Sequence, residues 1–334
     1  MKNRKSILIL AIVILVLAGL LFKIERNYKI TKLSYFEYFD TFIEVSIYDE
    51  VKDKKAIDKL VDEKIKSIND NTDAFLQHLD NDLYSLNRDG VVKNQELAWL
   101  IQYGTNSYNT YSNQYNLALG PVIDIWKTAL SECNDNNNCQ VPDLSGIDTT
   151  RLDPNLIDIN EDKITIENGM KIDLGGIVKG YCTDEIADLL KDEGYNHFLI
   201  NAGGNIYGST KPNDESYIIS VVNPINNQES FIKFSVSNKS VVTSGDYERY
   251  FEVDNKRYSH LINSDTLYPS TYYHSVTVIS DKSIDGDILS TMLFGLEYKK
   301  GLQIVEELDG VEAVWFDKSG EILKSSGISD YEKK

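Results

Sequence analysis

The chain has 334 residues, of which 42% are hydrophobic and 26% charged, so it can bury a large core and does not belong to the disordered class. Its formal net charge of -18 is spread along the whole sequence, without a cluster of lysine and arginine. Because nucleic-acid phosphates need a basic face, this charge pattern argues against nonspecific nucleic-acid binding.

The N-terminus has the pattern of an export signal that stays attached to the protein. The basic start MKNRK precedes sixteen mostly apolar residues, 7–22, and no A-x-A cleavage site follows them. Residues 17–19 are LAG, but Leu20 stands where a lipid-accepting cysteine would be needed. Flanking basic residues do not decide the orientation. The long C-terminal part favours export, so we predict a single-pass membrane anchor in residues 1–30 and an extracytoplasmic domain in residues 31–330.

The first half of this domain mixes strand and helix patterns. Residues 34–48 alternate in patches and predict a strand or hairpin at the edge of the domain. Apolar residues recur at helical spacing in 56–68 and 96–108, with a polar, turn-rich stretch over 69–90 between them. In 114–126 a Gly-Pro step interrupts an apolar run, which predicts an irregular, pocket-lining segment rather than a helix.

The second half is richer in strands. The Asn168-Gly169 pair predicts a hairpin over 163–172, and Asp173 is then expected to leave a strand before a helix that begins after Gly176. Helices are expected over 284–294 and 299–308, and a final hairpin over 313–323. Further strands are predicted at 198–201, 217–222, 231–236, 250–253, 257–262 and 275–279. The pattern predicts an α+β fold with mixed, largely antiparallel sheets and flanking helices.

Three cysteines are present. Cys133 and Cys139 bracket the loop NDNNN and can close a small disulfide outside the cytosol, although the sequence leaves their redox state open. This pair does not match a zinc site, because no histidine lies near it in the sequence and its spacing differs from that of a zinc clip. Cys182 fits a small buried side chain on a helix.

Asp287 and Thr291 form the sharpest candidate site. They lie four residues apart at the start of a predicted helix and therefore share one of its faces. A carboxylate and a hydroxyl at this spacing make half of a site for Mg²⁺, which prefers oxygen ligands and needs a second segment to complete its shell. The alternative is that Asp287 caps the helix and Thr291 simply faces inward.

Gly175 and Gly176 mark a candidate second segment. A strand, a glycine pair and a helix start together form an anion-binding turn. Neither a Walker loop nor a GxGxxG pattern is present, and a plain strand-to-helix turn that needs glycine for packing explains the pair equally well.

Seven segments in one order resemble the FAD:protein FMN transferases, the ApbE family, and together they cover nearly everything after residue 35. They are FDT at 39–41, SLN at 85–87, YNLALGPVIDIW at 115–126, DLGGIVKG at 173–180, NAGGNI at 201–206, YSHLINSDT at 258–266 and DILSTMLFG at 287–295. Two departures stand out: the family usually has methionine-glycine-threonine at 39–41, and its usual serine and aromatic residue before SLN have no clean match in 75–79.

The resemblance implies an extracytoplasmic, Mg²⁺-dependent enzyme with an ApbE-like flavin transferase fold. Such an enzyme transfers the FMN half of FAD to a threonine of a target flavoprotein that carries a serine/threonine flavinylation motif, and releases AMP. The catalytic residues would be His260 and Asp287, and the metal would lie between Asp287, Thr291 and the carbonyl of Gly176. The residues implied to contact FAD are Phe39, Gln114, Tyr115, Asn116, Asp173, Lys179 and Ile262.

The residue chemistry agrees with this implication. Attack of a hydroxyl on a diphosphate needs a metal to neutralise phosphate oxygens and little covalent help from the protein. His260 is a titratable group with an ordinary pKa near neutral, although it also fits a strand-end histidine packed beside Tyr258. Two further hypotheses are a metal-dependent FAD pyrophosphatase and a surface protein that binds FAD without catalysis.

Overall fold

The computed structural model describes residues 29–136, 138–226 and 229–333. Its strands are β1 (Thr31–Tyr38), β2 (Thr41–Ile47), β3 (Val91–Lys93), β4 (Asp158–Asn160), β5 (Lys163–Thr165), β6 (Phe198–Ala202), β7 (Asn205–Gly208), β8 (Tyr217–Val222), β9 (Ser230–Val236), β10 (Lys239–Gly245), β11 (Tyr250–Val253), β12 (Lys256–Ser259), β13 (Tyr273–Ser280), β14 (Glu312–Asp317) and β15 (Ile322–Lys324). Its helices are α1 (Lys54–Thr72), α2 (Leu83–Asp89), α3 (Gln95–Thr110), α4 (Gly120–Asn136), α5 (Val178–Asp192), α6 (Ser283–Phe294) and α7 (Tyr298–Glu306).

An eight-stranded antiparallel sheet organises the fold, in the order β1-β2-β6-β7-β10-β13-β14-β15. Side chains along each strand alternate between its two faces. Val276 and Val278 of β13 therefore join the core beneath α1, α3, α5 and α6, whereas Ile279 joins a second core beneath the β8–β9 hairpin. The predicted α+β class with largely antiparallel sheets is confirmed, and β1–β2 is the expected edge hairpin.

A third apolar cluster joins α4 to the β11–β12 hairpin. Trp126 of α4 stacks on Tyr258 with ring centroids 5.7 Å apart and contacts Phe251, and its indole N–H donates to the carbonyl of Leu267 at 2.9 Å. This cluster holds the segment that follows β12 against α4, and that segment carries His260.

The Gly120-Pro121 step begins a helix, so the predicted irregular segment over 114–126 is wrong. A 3₁₀ turn at Leu117–Leu119 leads directly into α4, with Pro121 in its first turn. The first N–H groups of a helix have no partner within that helix, so proline is tolerated there and its fixed φ favours the helix start.

The Asn168-Gly169 turn forms, but the hairpin predicted around it does not. Gly169 has φ +89°, and the amide of Met170 donates to the carbonyl of Glu167 at 3.0 Å. No strand lies between this turn and α5, whose residues are all described, and β5 pairs with β3 and β4 instead. Asp173 accordingly leaves an irregular segment rather than a strand.

The predicted membrane anchor in residues 1–30 lies almost wholly outside the described residues. Within residues 29–136, 138–226 and 229–333, none of the helices combines the length and the apolar character that a membrane crossing requires. Cys133 and Cys139 are joined in a disulfide, and Cys182 is buried on α5 as predicted. Helix α4 continues to Asn136, into the stretch predicted to be a loop.

Candidate active site

The site forms where the first turns of α5 and α6 meet over the main sheet. Asp287, in the second turn of α6, is only 2% exposed, and its Oδ2 accepts a hydrogen bond from the backbone N–H of Gly180 on α5 at 2.9 Å. Its Oδ1 lies 3.4 Å from Nζ of Lys179, which also donates to the carbonyl of Gly175 at 3.1 Å. The two segments predicted to come together therefore do so.

Thr291 faces the Gly176 turn. A Cβ built on Gly176 would lie 3.2 Å from Oγ1 of Thr291 and 3.2 Å from Cε2 of Tyr115, which leaves little room for a larger residue. Glycine at this position thus keeps the backbone of the turn close to the hydroxyl. The interpretation of Gly175-Gly176 as a plain packing turn accounts for part of this close approach, and the turn also has a hydroxyl and a carboxylate beside it.

These donors fit a hard divalent cation. Asp287 offers a buried carboxylate oxygen, Thr291 a hydroxyl and Gly176 a backbone carbonyl, and all three are oxygen donors of the kind Mg²⁺ prefers. Nζ of Lys179 also lies beside this carboxylate. No group of three or more His, Cys, Asp or Glu side chains suited to a metal occurs in the described residues. Phosphate oxygens or water would therefore have to complete the shell.

Asp287 does cap a helix, but not its own. It is the fifth residue of α6, and the N–H group that it accepts belongs to the first turn of α5. The simple capping alternative from the sequence is therefore wrong in its choice of helix, and the cap uses only Oδ2 of the carboxylate.

Tyr115 and Asp173 form the wall beside the Gly176 turn. The Tyr115 hydroxyl is buried without a hydrogen-bond partner among the described residues, and burial raises its pKa well above the ordinary value, with Asp287 and Asp173 adding to the shift. Burial also raises the pKa of Asp173, while the amide of Gly175, which donates to Asp173 Oδ1 at 2.8 Å, opposes the shift. Both predicted residues thus lie at the site.

Gln114, Asn116 and Ile262 hold the neighbouring wall in place. Oε1 of Gln114 accepts from the amide of Ser264 at 3.2 Å, and the Asn116 side chain caps the 3₁₀ turn by accepting from the amide of Ala118 at 2.8 Å. Ile262 packs against the Trp126 cluster. These contacts join the segments at 114–116 and 262–264, while their predicted contacts with FAD stay predictions.

His260 follows strand β12 and is held by Arg249. Its amide donates to the Arg249 carbonyl at 3.0 Å, and Nδ1 lies 3.3 Å from the same oxygen. The ring reaches solvent, but surrounding protein atoms desolvate it and lower its pKa to about 4, with the cations Arg249 and Lys179 contributing. Since a carbonyl only accepts, Nδ1 carries the proton in the neutral ring and Nε2 is left as the acceptor.

Phe39 reaches the same region through the β1–β2 turn. Phe39 and Asp40 both have positive φ, 52° and 51°, as a two-residue hairpin turn requires. The Arg249 guanidinium donates to the Asp40 carbonyl at 3.1 Å and lies 3.4 Å from the Phe39 carbonyl. Arg249 therefore connects the Phe39 turn to His260.

Three charged residues near this site, Glu248, Arg249 and Lys127, were not predicted from the sequence. Glu248 has its pKa raised by desolvation, with Lys179 and Arg249 opposing that shift. Lys127 has its pKa lowered by desolvation, and its Nζ lies 3.0 Å from the ring centroid of Phe75. Glu248 and Arg249 lie three and four residues after Gly245, the last residue of β10. The sequence pattern did not reveal this strand, so their place beside the site could not be inferred.

Comparisons with known proteins identify the family of this chain. The ApbE family model matches residues 39–315. The FAD:protein FMN transferase of Klebsiella pneumoniae (strain 342) is 32% identical over 250 residues, 73% of this chain and 76% of the relative. That of Treponema pallidum (strain Nichols) is 29% identical over 261 residues, covering 72% and 70%.

Solved structures share the fold. The ApbE protein of Thermotoga maritima has a TM-score of 0.81 at 23% identity and covers 92% of this chain and 100% of its own. The flavin transferase ApbE of Vibrio cholerae has a TM-score of 0.74 at 19% identity, covering 91% and 99%. Given a family model that spans most of the sequence and a 32% identical relative matched over most of its length, this chain belongs to the ApbE family.

Proposed function

We propose that this chain transfers the FMN moiety of FAD to a threonine of a target flavoprotein, with Mg²⁺ as the metal and AMP as the second product. Its family membership and its curated relatives, which carry the name FAD:protein FMN transferase, support flavinyl transfer. The observation that supports a metal site is that Asp287, Thr291 and Gly176 lie close together, with Lys179 beside them.

The reaction balances as a phosphoryl-type transfer. The threonine oxygen forms a bond to the FMN phosphorus of FAD, the diphosphate bond breaks, and the bridging oxygen leaves with AMP. Bound Mg²⁺ would neutralise the diphosphate oxygens and align the leaving group. Asp287, Thr291 and the Gly176 carbonyl would hold it, and Lys179 brings a further positive charge to the diphosphate.

His260 is the residue that we assign to the proton of the attacking threonine. Its lowered pKa keeps the ring neutral at physiological pH, and its Nδ1 faces the Arg249 carbonyl. Nε2 is therefore free to accept a proton from a hydroxyl that approaches the diphosphate. Because the Arg249 carbonyl fixes the tautomer of His260, no carboxylate is needed to orient the ring.

Incubating the protein with FAD, MgCl₂ and a candidate target tests the proposed function. We expect flavin fluorescence to stay with the denatured target, a mass increase equal to FMN, and one AMP per flavin attached. Release of free FMN and AMP without labelling would instead indicate a pyrophosphatase. Binding of FAD without AMP production at high Mg²⁺ would indicate a flavin-binding protein.

We also propose that residues 1–30 anchor the enzyme in the cell membrane with the catalytic domain, residues 31–330, outside the cytoplasm. The apolar run at 7–22 after a basic start supports this proposal. Fractionation of cells that express the full chain tests it. The protein should stay with membranes after a carbonate wash and be digested by protease added to intact spheroplasts; recovery in the soluble fraction would contradict it.

A further inference from the structure

Helix α6, which carries Asp287 and Thr291, is buried on nearly all sides. Ten of its twelve residues are buried, including Ser283 at 0% and Ile284 at 3% exposure at its first turn. The first N–H groups of any helix have no partner within the helix and usually bond to water or to a capping side chain. At the buried start of α6, water is largely excluded, so protein groups must satisfy these donors.

Neither α5 nor α6 has a capping side chain at its own N-cap. Ile177 precedes α5 and Lys282 precedes α6, and neither side chain accepts a hydrogen bond from the helix that follows, within the described chain. Each helix is capped by the other instead. Asp287 of α6 accepts from Gly180 of α5, as described above.

Asp184 of α5 provides the reciprocal cap. Its Oδ1 accepts from the amide of Ser283 at 2.8 Å, and its Oδ2 accepts from the amide of Ile284 at 2.9 Å. One carboxylate thus satisfies two successive donors, a geometry that fixes both the rotation and the axial position of the first turn of α6.

The two helix starts touch through their backbones. A Cβ on Gly180 would clash with the carbonyl of Ser283 and would lie 2.7 Å from Cα of Ile284. On the other side, a Cβ on Gly286 would lie 2.7 Å from Cγ2 of Val242 on β10. Helix α6 is therefore confined between α5 and the sheet, and Asp184 sets its position within that space.

We propose that Asp184 is a positioning residue for the metal site. By holding the first turn of α6, it positions Asp287 one turn further along this helix. Oδ2 of Asp287 then accepts from Gly180, and Oδ1 is left for the cation. Thr291 faces the Gly176 turn. The inference rests on the proposed function, because it takes Asp287 and Thr291 to be metal ligands. Asp184 itself is neither a proposed metal ligand nor a predicted FAD contact.

Three variants of the full chain test this role. Asp184→Ala removes both acceptor oxygens, and Asp184→Asn keeps one carbonyl oxygen and the size of the side chain. Asp188→Ala is the matched control, because Asp188 lies one turn further along α5 and pairs with Lys191 at the surface, 3.0 Å away. Should Asp184→Ala fail to fold, Asp184→Asn still provides the comparison.

Two readouts separate positioning from simple stability. We expect the affinity for Mn²⁺, measured by the free-ion signal in electron paramagnetic resonance with FAD present, to fall about 10- to 100-fold in Asp184→Ala, as outer-shell changes at metal sites typically do. The loss should be smaller in Asp184→Asn and absent in Asp188→Ala. Hydrogen exchange of the peptide that covers 281–289 should speed up in the same order, while the KM for FAD at saturating Mg²⁺ changes less than about 3-fold.

The results of these measurements separate the positioning role of Asp184 from a purely structural role and from the proposed function. Faster exchange at 281–289 with unchanged Mn²⁺ affinity would overturn the positioning role and leave Asp184 as a structural cap. A wild-type protein that binds no Mn²⁺ with FAD present would overturn it as well. If Mn²⁺ binding depends on Asp184 but no target is flavinylated, the positioning role stands and the proposed function fails.

Discussion

The two faces of the main sheet are covered in opposite ways. On one face, the β8–β9 hairpin packs apolar side chains such as Ile219 and Phe234 against Val241, Ile279 and Val314 of the sheet. On the other face, α5 and α6 bring the carboxylates of Asp184 and Asp287 into a largely buried environment and bind each to backbone N–H groups.

This difference indicates where the fold concentrates stability and where it concentrates function. Apolar side-chain contacts stabilise the hairpin face, and burying uncharged side chains incurs no large desolvation cost. The helix face accepts that cost, and a buried carboxylate is tolerated only when hydrogen bonds or counter-charges satisfy it. The buried charges on the helix face are therefore the natural place for catalysis, and substitutions on the two faces should have different effects.

The largest effect at the site is expected from Asp287→Ala. It removes a proposed metal ligand together with the cap of α5. A metal contributes several kcal/mol to stabilising transition-state charge, so the FMN transfer rate should fall by more than about 100-fold. Asp287→Asn keeps an acceptor for Gly180 and serves as the control for folding. Mass spectrometry of the target measures the rate, and a normal rate in either variant would remove Asp287 from the metal site.

A smaller effect is expected from Thr291→Val, which keeps the shape of the side chain and removes its hydroxyl. The half-saturating Mg²⁺ concentration should rise by at least the roughly 10-fold seen for changes near metal ligands. Thr291→Ser, which restores the hydroxyl, should stay close to wild type. Equal Mg²⁺ dependence in Thr291→Val and wild type would mean that the threonine only packs against the Gly176 turn.

A third prediction concerns pH and stability at His260. Its pKa is lowered in the folded protein to about 4 from an ordinary value of 6.5, mainly by desolvation. The unfolded chain therefore binds a proton between pH 6.5 and 4 that the folded chain does not, and stability is lost as the pH falls through this window. Urea unfolding at pH 7 and pH 4.5 should show a smaller loss in His260→Gln than in wild type. An equal loss would contradict the shift.

The smallest effect at the site is expected from a substitution on the hairpin face. Ile219→Val removes one buried methylene and should lower the free energy of unfolding by about 0.5–1.5 kcal/mol. The half-saturating Mg²⁺ concentration and the KM for FAD should not change. Denaturant unfolding and initial rates check both statements, and a shift in Mg²⁺ dependence would show that the two faces are coupled.

The sequence predicted the contact between the Gly176 turn and α6 better than it predicted the strands of the main sheet. The four-residue spacing of Asp287 and Thr291 and the Gly176 turn are local features, and their contact followed from the family pattern. Strand β10 was missed because Ser240 and Ser244 interrupt its apolar pattern; the Ser240 hydroxyl donates to the Ile206 carbonyl at 3.1 Å, and that of Ser244 pairs with Ser290 at 2.9 Å.

Other errors share one cause, which is that local signals do not specify a partner. Asn168-Gly169 does make a tight turn, yet β5 pairs with strands that precede it. Strand β3 lies much earlier in the chain, and β4 comes immediately before β5. Pro121 was taken as a break although it lies in the first turn of α4. The capping role of Asp184 was not predicted, because its partners, Ser283 and Ile284, are about 100 residues away in the chain.

Anomalous scattering from Mn²⁺ in crystals grown with FAD would test most directly whether the Gly176 turn and the start of α6 jointly hold a divalent cation. We expect a peak about 2.0–2.3 Å from Oδ1 of Asp287, Oγ1 of Thr291 and the carbonyl oxygen of Gly176, with a phosphate oxygen of FAD in the same shell. FAD bound with the Mn²⁺ peak elsewhere, or with no peak, would contradict this account.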